Sequence, residues 1–293
     1  MAKALILGGA TGLVGQALTR TLAHDGWDTR TFSRTDGNLL DLDFLRALLE
    51  KAEADVVFNA LGWTRVDDAE AHPEEALLAN RTLPDALART LAALGHGHLV
   101  HFSTDFVFSG PHDGPWRETD TPHPVSVYGR TKLAGEEAVQ SALPDRSCIV
   151  RTAWLFGPGR SNFVDVILAA CRKRDAVSVV HDQTGSPTYT LDLAQWCEKL
   201  AEARATGIWH AVNSGVASWC ELASEAIALT SGPCRVEPIP GTDWPQAAER
   251  PANSALDNSK LAAFLGDKPR PWPRALREYL FCEHIHAAEG CAR

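Results

Sequence analysis

Short apolar runs alternate with helix-length amphipathic stretches through the first half of the chain. Residues 4–7 form a continuous apolar run, as expected of a strand buried on both faces. Leu13–His24 carries its apolar residues at helical spacing, Asp28–Phe32 reads as a second short strand, residues 42–51 as a helix, and Val56–Asn59 as a third strand. Residues 73–94 predict one long helix or two short ones, with Pro84 interrupting, and residues 98–102 another strand. Strands that alternate with helices pair in parallel through right-handed crossovers. The pattern therefore predicts an α/β fold with a Rossmann-type doubly wound parallel sheet.

Beyond about residue 155 the pattern changes. Prolines and tryptophans become frequent, strands shorten (177–180, 208–212), and the helices 162–174, 218–229 and 273–281 are separated by long connections. The expected division is a dinucleotide-binding domain over 1–155 and a smaller α/β substrate-binding lobe over 156–293, with some segments interleaved. No internal repeat is visible, and only the tail 289–293 reads as dispensable.

The turn after the first strand reads Gly9-Ala-Thr-Gly12-Leu13-Val14-Gly15. Between a strand and a helix, Gly9 permits a tight turn, Gly12 lets backbone approach a pyrophosphate, and Gly15 lets the helix pack on the sheet. The helix N-terminus adds unpaired N–H groups and a partial positive charge. After the second strand the sequence is Thr31-Phe-Ser33-Arg34, with no carboxylate to hold a ribose 2′-hydroxyl. Arg34 at that position suits a 2′-phosphate, so NADPH is the expected cofactor, with NADH possible.

The strand at 98–102 delivers Ser103-Thr104-Asp105 to its carboxyl end, where open α/β sheets bind ligands. Tyr128 and Lys132 follow at i,i+4, on one face of a predicted helix. A free tyrosine titrates at about 10. A nearby lysine ammonium favours the phenolate and is expected to lower that value toward the range of general acid–base work. Thr104, or Ser103, would donate to a carbonyl oxygen as negative charge builds there. Order and spacing together predict a nicotinamide-dependent carbonyl reductase.

Composition narrows the classes. At 293 residues, 45% hydrophobic and 22% charged, the chain is long enough for a full globular core. A net charge of −9 supplies no general field for polyanions, so nucleic acid is not an expected partner and phosphate must be held by local donors. The apolar run at the start is too short for a signal peptide, and none reaches the ~20 residues of a membrane span; a cytoplasmic protein with no membrane partner is expected. Cys148, Cys171, Cys197, Cys220, Cys234, Cys282 and Cys291 are scattered and never spaced C-x-x-C, which predicts reduced, mostly buried thiols and no metal site. The close pairs His96/His98 and His284/His286 have no partner at ligand spacing and read as surface or loop histidines.

These residues resemble the dTDP-4-dehydrorhamnose reductase family, a branch of the extended short-chain dehydrogenase/reductases, and the resemblance runs almost end to end. Its specific segments are Ser103-Thr-Asp-Phe-Val-Phe-Ser-Gly110 and Asp182-Gln-Thr-Gly-Ser-Pro-Thr188. The glycine turn and Tyr128-Gly-Arg-Thr-Lys-Leu-Ala-Gly-Glu136 belong to the wider superfamily, and Asn80, Arg151-Thr-Ala-Trp154, Gly207-Ile-Trp-His210 and Arg250-Pro-Ala-Asn-Ser-Ala-Leu256 also match. The resemblance implies reduction of the C4 ketone of dTDP-4-dehydro-L-rhamnose by a monomer or homodimer. By position it implies Gly12, Leu13 and Val14 along the pyrophosphate, Asp41 and Leu42 at the adenine, Gly62, Trp63 and Thr64 on the nicotinamide side, and Tyr128 and Lys132 on the ribose. It further implies Thr104, Asp105 and Trp154 against the deoxysugar, with Arg250 and Asn253 anchoring the nucleotide part of the substrate.

The chain departs from the family at Phe106, where tyrosine is common, at the bulky Trp63, and at Gln16-Ala17, where some relatives carry a magnesium-binding glutamate. Two other functions fit the same residues. One is a different nucleotide-sugar 4-ketoreductase or reductase-epimerase. The other is a non-catalytic NADP-binding regulatory subunit resembling the β subunit of methionine adenosyltransferase, against which the retention of Thr104, Tyr128 and Lys132 argues.

Overall fold

The computed structural model describes residues 1–230 and 232–282. His284, His286, Cys291 and the tail 289–293 lie outside the described residues. The chain opens with β1 (Lys3–Leu7), α1 (Leu13–His24), β2 (Asp28–Phe32), α2 (Leu42–Ala52), β3 (Val56–Asn59), α3 (Val66–Ala71) and α4 (Pro73–Leu77). A single π-turn (Leu78–Thr82) leads into α5 (Leu83–Leu94), followed by β4 (His98–Thr104), α6 (Val127–Ala142) and β5 (Ser147–Thr152). Pro84 stands in the first turn of α5, where its missing N–H is tolerated; the interruption read at 73–94 is the π-turn just before it.

The second half contains β6 (Leu155–Phe156), α7 (Phe163–Cys171), β7 (Ala176–Val180), β8 (Thr184–Gly185), β9 (Thr188–Tyr189) and α8 (Thr190–Glu202). It continues with β10 (Gly207–His210), β11 (Ala217–Ser218), α9 (Trp219–Leu229), β12 (Arg235–Ile239), α10 (Ser259–Leu265) and α11 (Trp272–Leu280).

Six strands form one parallel sheet in the order β10-β5-β4-β3-β1-β2. Alternate residues of each inner strand enter opposite cores. Ile6, Phe58, Val100 and Val150 pack under α1 and α8, whereas Leu5, Val57, Leu99 and Ile149 pack under α2 and α5. That two-sided burial is why these strands read as continuous apolar runs. The order reverses between β1 and β3, and this switch point opens at the carboxyl edge where the glycine turn begins.

The strand expected at 208–212 is β10, which closes the far edge of the main sheet against β5 instead of standing in the smaller lobe. A separate core gathers α7, α9, α11, β7 and β9, with Phe156, Tyr189, Leu222, Leu276 and Tyr279 at its centre.

Two expectations need correction. Cys171, ending α7, and Cys234, just before β12, are joined as a disulfide with their Cα atoms 5.3 Å apart. β12 pairs with β7 beside α7, so tertiary packing closes a sequence separation of 63 that local spacing could not reveal. Cys148, Cys197, Cys220 and Cys282 are free, the first two buried. His98 is not a surface residue either. It begins β4 fully inside, and burial pushes its imidazole down to about 4. His96 is exposed.

Candidate active site

The glycine turn is built by close approach. Gly8, not Gly9, takes the left-handed backbone (φ 89°) that the turn requires. A Cβ on Gly9 would lie 2.6 Å from the Thr31 methyl, and one on Gly15 2.2 Å from the Gly8 carbonyl oxygen. Gly12 is the N-cap of α1 and has no side chain to occupy the first-turn amides. The N–H groups of Leu13 and Val14 therefore stand at a bare helix end, a ready anion site.

Arg34 is exposed beyond β2. The Asp36 carboxylate, which could have offset its charge, accepts from Ser33 N (2.6 Å) and Ser33 Oγ (2.9 Å), and these bonds hold it below the usual carboxylate range. Asp41 caps α2, its Oδ1 accepting from Asp43 N and Phe44 N. Leu42 beside it is 61% exposed, an apolar surface without a protein partner over most of its area.

Two asparagines fix the loop after β3. Asn59 Oδ1 accepts from Leu61 N (3.3 Å), while its amide meets His101 Nδ1 (3.0 Å). Asn80 Oδ1 accepts from Trp63 N (2.8 Å), and its amide donates to Trp63 O and Thr131 Oγ1. The π-turn aims Asn80 at this loop. A Cβ on Gly62 would fall 2.9 Å from Asn80 Oδ1 and 3.8 Å from Lys132 Nζ, so the Gly62–Thr64 segment runs directly past the lysine. The Trp63 indole turns away, donating to Arg65 O under the Arg65 guanidinium and packing near His72.

β4 ends at Thr104, whose Oγ1 donates to Asp105 Oδ1 (3.0 Å) and accepts from Phe106 N. Ser126 is the N-cap of α6, its hydroxyl accepting from Gly129 N. Gly129 and Gly135 let the helix seat against Phe106 O and Asn80 O, where any Cβ would come within 2.2 Å and 2.0 Å respectively. This seating brings Tyr128 to Thr104 and Phe106, the rings of Phe106 and Tyr128 meeting edge-on at 5.8 Å.

Lys132 is 5% exposed and donates to Phe102 O at 2.5 Å. Burial pushes its ammonium down to about 8, with Glu136 acting in the opposite sense. Tyr128 is pushed up to about 12 by burial, against a smaller lowering by the Thr104 hydroxyl. The expectation that lysine lowers the tyrosine is thus overturned for the protein alone. Lys132 points its charge at a backbone carbonyl, and desolvation of the phenolate dominates. Asp105 is buried with Oδ2 unpartnered, and burial raises its carboxyl to about 6.

The residues expected around the sugar nucleotide do not all gather in one place. Trp154 follows β5 with a left-handed backbone (φ 46°), a strained position for a bulky residue. One indole face stacks on Trp219 at 3.5 Å, and the ring edge lies where Gly185 leaves no room for a Cβ. Trp219, not Trp154, lines a 310 Å³ cavity together with Phe163, Val179, Gln183, Trp244 and Arg250. Arg250 sits at this cavity in a bidentate pair with Asp67 (2.6 and 2.9 Å), which holds the Asp67 carboxyl down at about 2. Asn253 is engaged elsewhere: its amide donates to Gly114 O (2.8 Å) and its Oδ1 accepts from Ala255 N.

Sequence reasoning missed the roles of Asn80 and Trp219 and the Asp67–Arg250 pair. Asn80 carried a signal only through its place in the family pattern; Trp219, behind the Ser218-x-x-Glu221 capping box, carried only a helix-start signal.

Residues 2–283 match the family described as RmlD substrate binding domain. A dTDP-4-dehydrorhamnose reductase of Streptomyces griseus is 39% identical over 276 residues, 92% of this chain and 90% of the relative. A dTDP-4-keto-6-deoxy-D-glucose reductase of Streptomyces niveus is 36% identical, with 92% of this chain and 94% of the relative covered. The crystal structure of a Bacillus anthracis dTDP-4-dehydrorhamnose reductase in complex with NADP superposes with a TM-score of 0.90 at 29% identity, covering 96% of this chain and 99% of that one. A parallel sheet with its glycine turn at the switch point, Thr104, Tyr128 and Lys132 gathered at one edge, and similarity running over nearly the whole chain show that this protein belongs to the dTDP-4-dehydrorhamnose reductase family.

Proposed function

We propose that this protein reduces the C4 ketone of dTDP-4-dehydro-L-rhamnose to dTDP-L-rhamnose with NADPH, Tyr128 acting as proton donor. The observation that carries the reading is the convergence of Thr104, Tyr128 and Lys132 beside the Gly62–Thr64 loop, at the carboxyl edge of the sheet that also holds the glycine turn. The donor set fits NADPH. Gly9, Gly12 and Gly15 leave backbone where Cβ atoms would intrude, Leu13 and Val14 offer amides to the pyrophosphate, and Arg34 offers a guanidinium to the 2′-phosphate. Asp41 and Leu42 would border the adenine, and Gly62, Trp63 and Thr64 the nicotinamide. When bound, the cofactor supplies a hydride to the ketone carbon.

The chain's own residues do the rest. Lys132 would hold the ribose hydroxyls with its ammonium when the cofactor is bound. Tyr128 keeps its proton far above neutral pH in the protein alone, so it is poised as an acid. It delivers that proton to the C4 oxygen, while Thr104 donates a second hydrogen bond to the developing oxyanion.

The cofactor-binding domain is 1–155 and the described residues from 156 to 282 are chiefly the substrate lobe, with α8, β10 and α10 completing the first domain. The Arg250 guanidinium and the aromatic cavity beside it suit a nucleoside diphosphate. Asp105 and Trp154 border the deoxysugar. Asn253 acts at a remove, by holding the 112–116 loop. A second reading, another dTDP-linked 4-keto-6-deoxyhexose as substrate, draws support from the Streptomyces niveus relative. Among the described residues no helix is long and apolar enough to cross a membrane. Tyr128→Phe tests the catalytic assignment: kcat should fall by at least about a hundredfold with NADPH still bound, and a variant that reduces substrate at near wild-type rate would overturn it.

A further inference from the structure

One helical turn beyond Lys132, on the same face of α6, Glu136 is 1% exposed and wholly engaged. Arg151 on β5 grips both carboxylate oxygens, Nη2 to Oε2 at 2.6 Å and Nε to Oε1 and Oε2 at 3.0 and 3.1 Å. The Ser103 hydroxyl, one residue before Thr104, donates to Glu136 Oε1. The Arg151 guanidinium also lies over the Phe108 ring at 4.9 Å, beyond the Ser103–Thr104–Asp105 strand end. Glu136 thus ties together α6, which carries Tyr128 and Lys132, the end of β4, which carries Thr104, and β5, which leads to Trp154. Such an ion pair costs more to bury than a pair of apolar residues of the same volume. Packing alone gives no reason to place it under a site.

We propose that Glu136 is a positioning residue for the reductase centre: held by Arg151 and Ser103, it fixes the face of α6 that carries Lys132 and the strand end that presents Thr104. The proposal rests on the catalytic reading of Tyr128 and Lys132 given above. The Lys132 ammonium donates to Phe102 O, the Gly62 loop runs past it, and the titratable groups that interact with its charge are His101 on β4 and Glu136 on α6. His101 stays neutral because burial and the Lys132 charge both depress it. Glu136 is therefore the anion in this set, and its charge favours the charged lysine.

The test is the pH dependence of NADPH affinity, followed by fluorescence, together with that of kcat/KM. In wild type both should fall as Lys132 loses its proton near pH 8. Glu136→Gln should move that limb down by about one pH unit, which lowers both quantities about fivefold at pH 8. Since Glu136→Gln leaves Arg151 buried without its partner and can compromise folding, Glu136→Gln with Arg151→Met removes both charges and should show a movement in the same downward direction but smaller, because loss of the Arg151 cation offsets part of it. If folded variants keep the wild-type limb while Tyr128→Phe is inactive, the proposal is overturned and the pair is structural. An active Tyr128→Phe would instead mark failure of the catalytic reading beneath it.

Discussion

Lys132→Met should make this protein more stable and less active, and the structure sets the size of both effects. The lysine ammonium falls from 10.5 to about 8 through burial, a penalty of about 3 kcal/mol on the folded state at pH 7. Methionine fills nearly the same volume without that penalty, and the lost bond to Phe102 O returns about 1 kcal/mol. A net gain of about 2 kcal/mol corresponds to a rise in Tm of about 5 °C. The pH window follows from the sign: the unfolded chain binds the extra proton between about 8 and 10.5, so wild-type stability climbs across that range. The advantage of the variant is full below pH 8 and vanishes near 10.5. NADPH affinity should meanwhile drop about 10- to 100-fold, the worth of one charge-assisted hydrogen bond. The basic limb of the rate profile should move upward, because Tyr128, held at about 12, is then the first group to titrate. Calorimetric scans at pH 7 and pH 10, fluorescence titration of NADPH and the pH dependence of kcat/KM measure these effects. An unchanged or lowered Tm at pH 7 in a folded variant would refute the burial penalty on which the reasoning depends.

Arg34→Ala should erase a preference for NADPH over NADH of up to about a hundredfold in kcat/KM; identical cofactor ratios in variant and wild type would remove Arg34 from the site. Trp154→Ala should raise KM for the sugar nucleotide and leave NADPH affinity alone, with some loss of Tm because the Trp219 stack goes with it; lost Tm with unchanged kinetics would make Trp154 a packing residue only. Activity should be indifferent to EDTA, since the proposed chemistry uses no metal, and loss of activity restored by magnesium would contradict that.

The parallel sheet was legible because strands buried on two faces leave continuous apolar runs, as at 4–7 and Val56–Asn59, and because Leu13–His24 and its neighbours keep a helical stripe. α8 escaped notice. Its buried face includes Asp192 and Glu198, which blur the apolar stripe, and Asp192 is spent on Arg270 and Asn213. The positions of Thr104, Tyr128 and Lys132 follow from local rules, a strand end and an i,i+4 helix face. What those rules could not supply is long-range: the Cys171–Cys234 bridge, the Asp67–Arg250 pair, the burial of His98, and the balance of desolvation against charge that raises Tyr128 and lowers Lys132. Each depends on what a side chain faces, which spacing along the chain does not encode.

The most direct test of the proposed function is NADPH consumption, followed at 340 nm, against a panel of dTDP- and UDP-linked 4-keto sugars. The account predicts the highest kcat/KM with dTDP-4-dehydro-L-rhamnose. No consumption with that compound while a different 4-keto sugar is turned over would contradict the substrate assignment, and no consumption with any member of the panel would contradict the reductase itself.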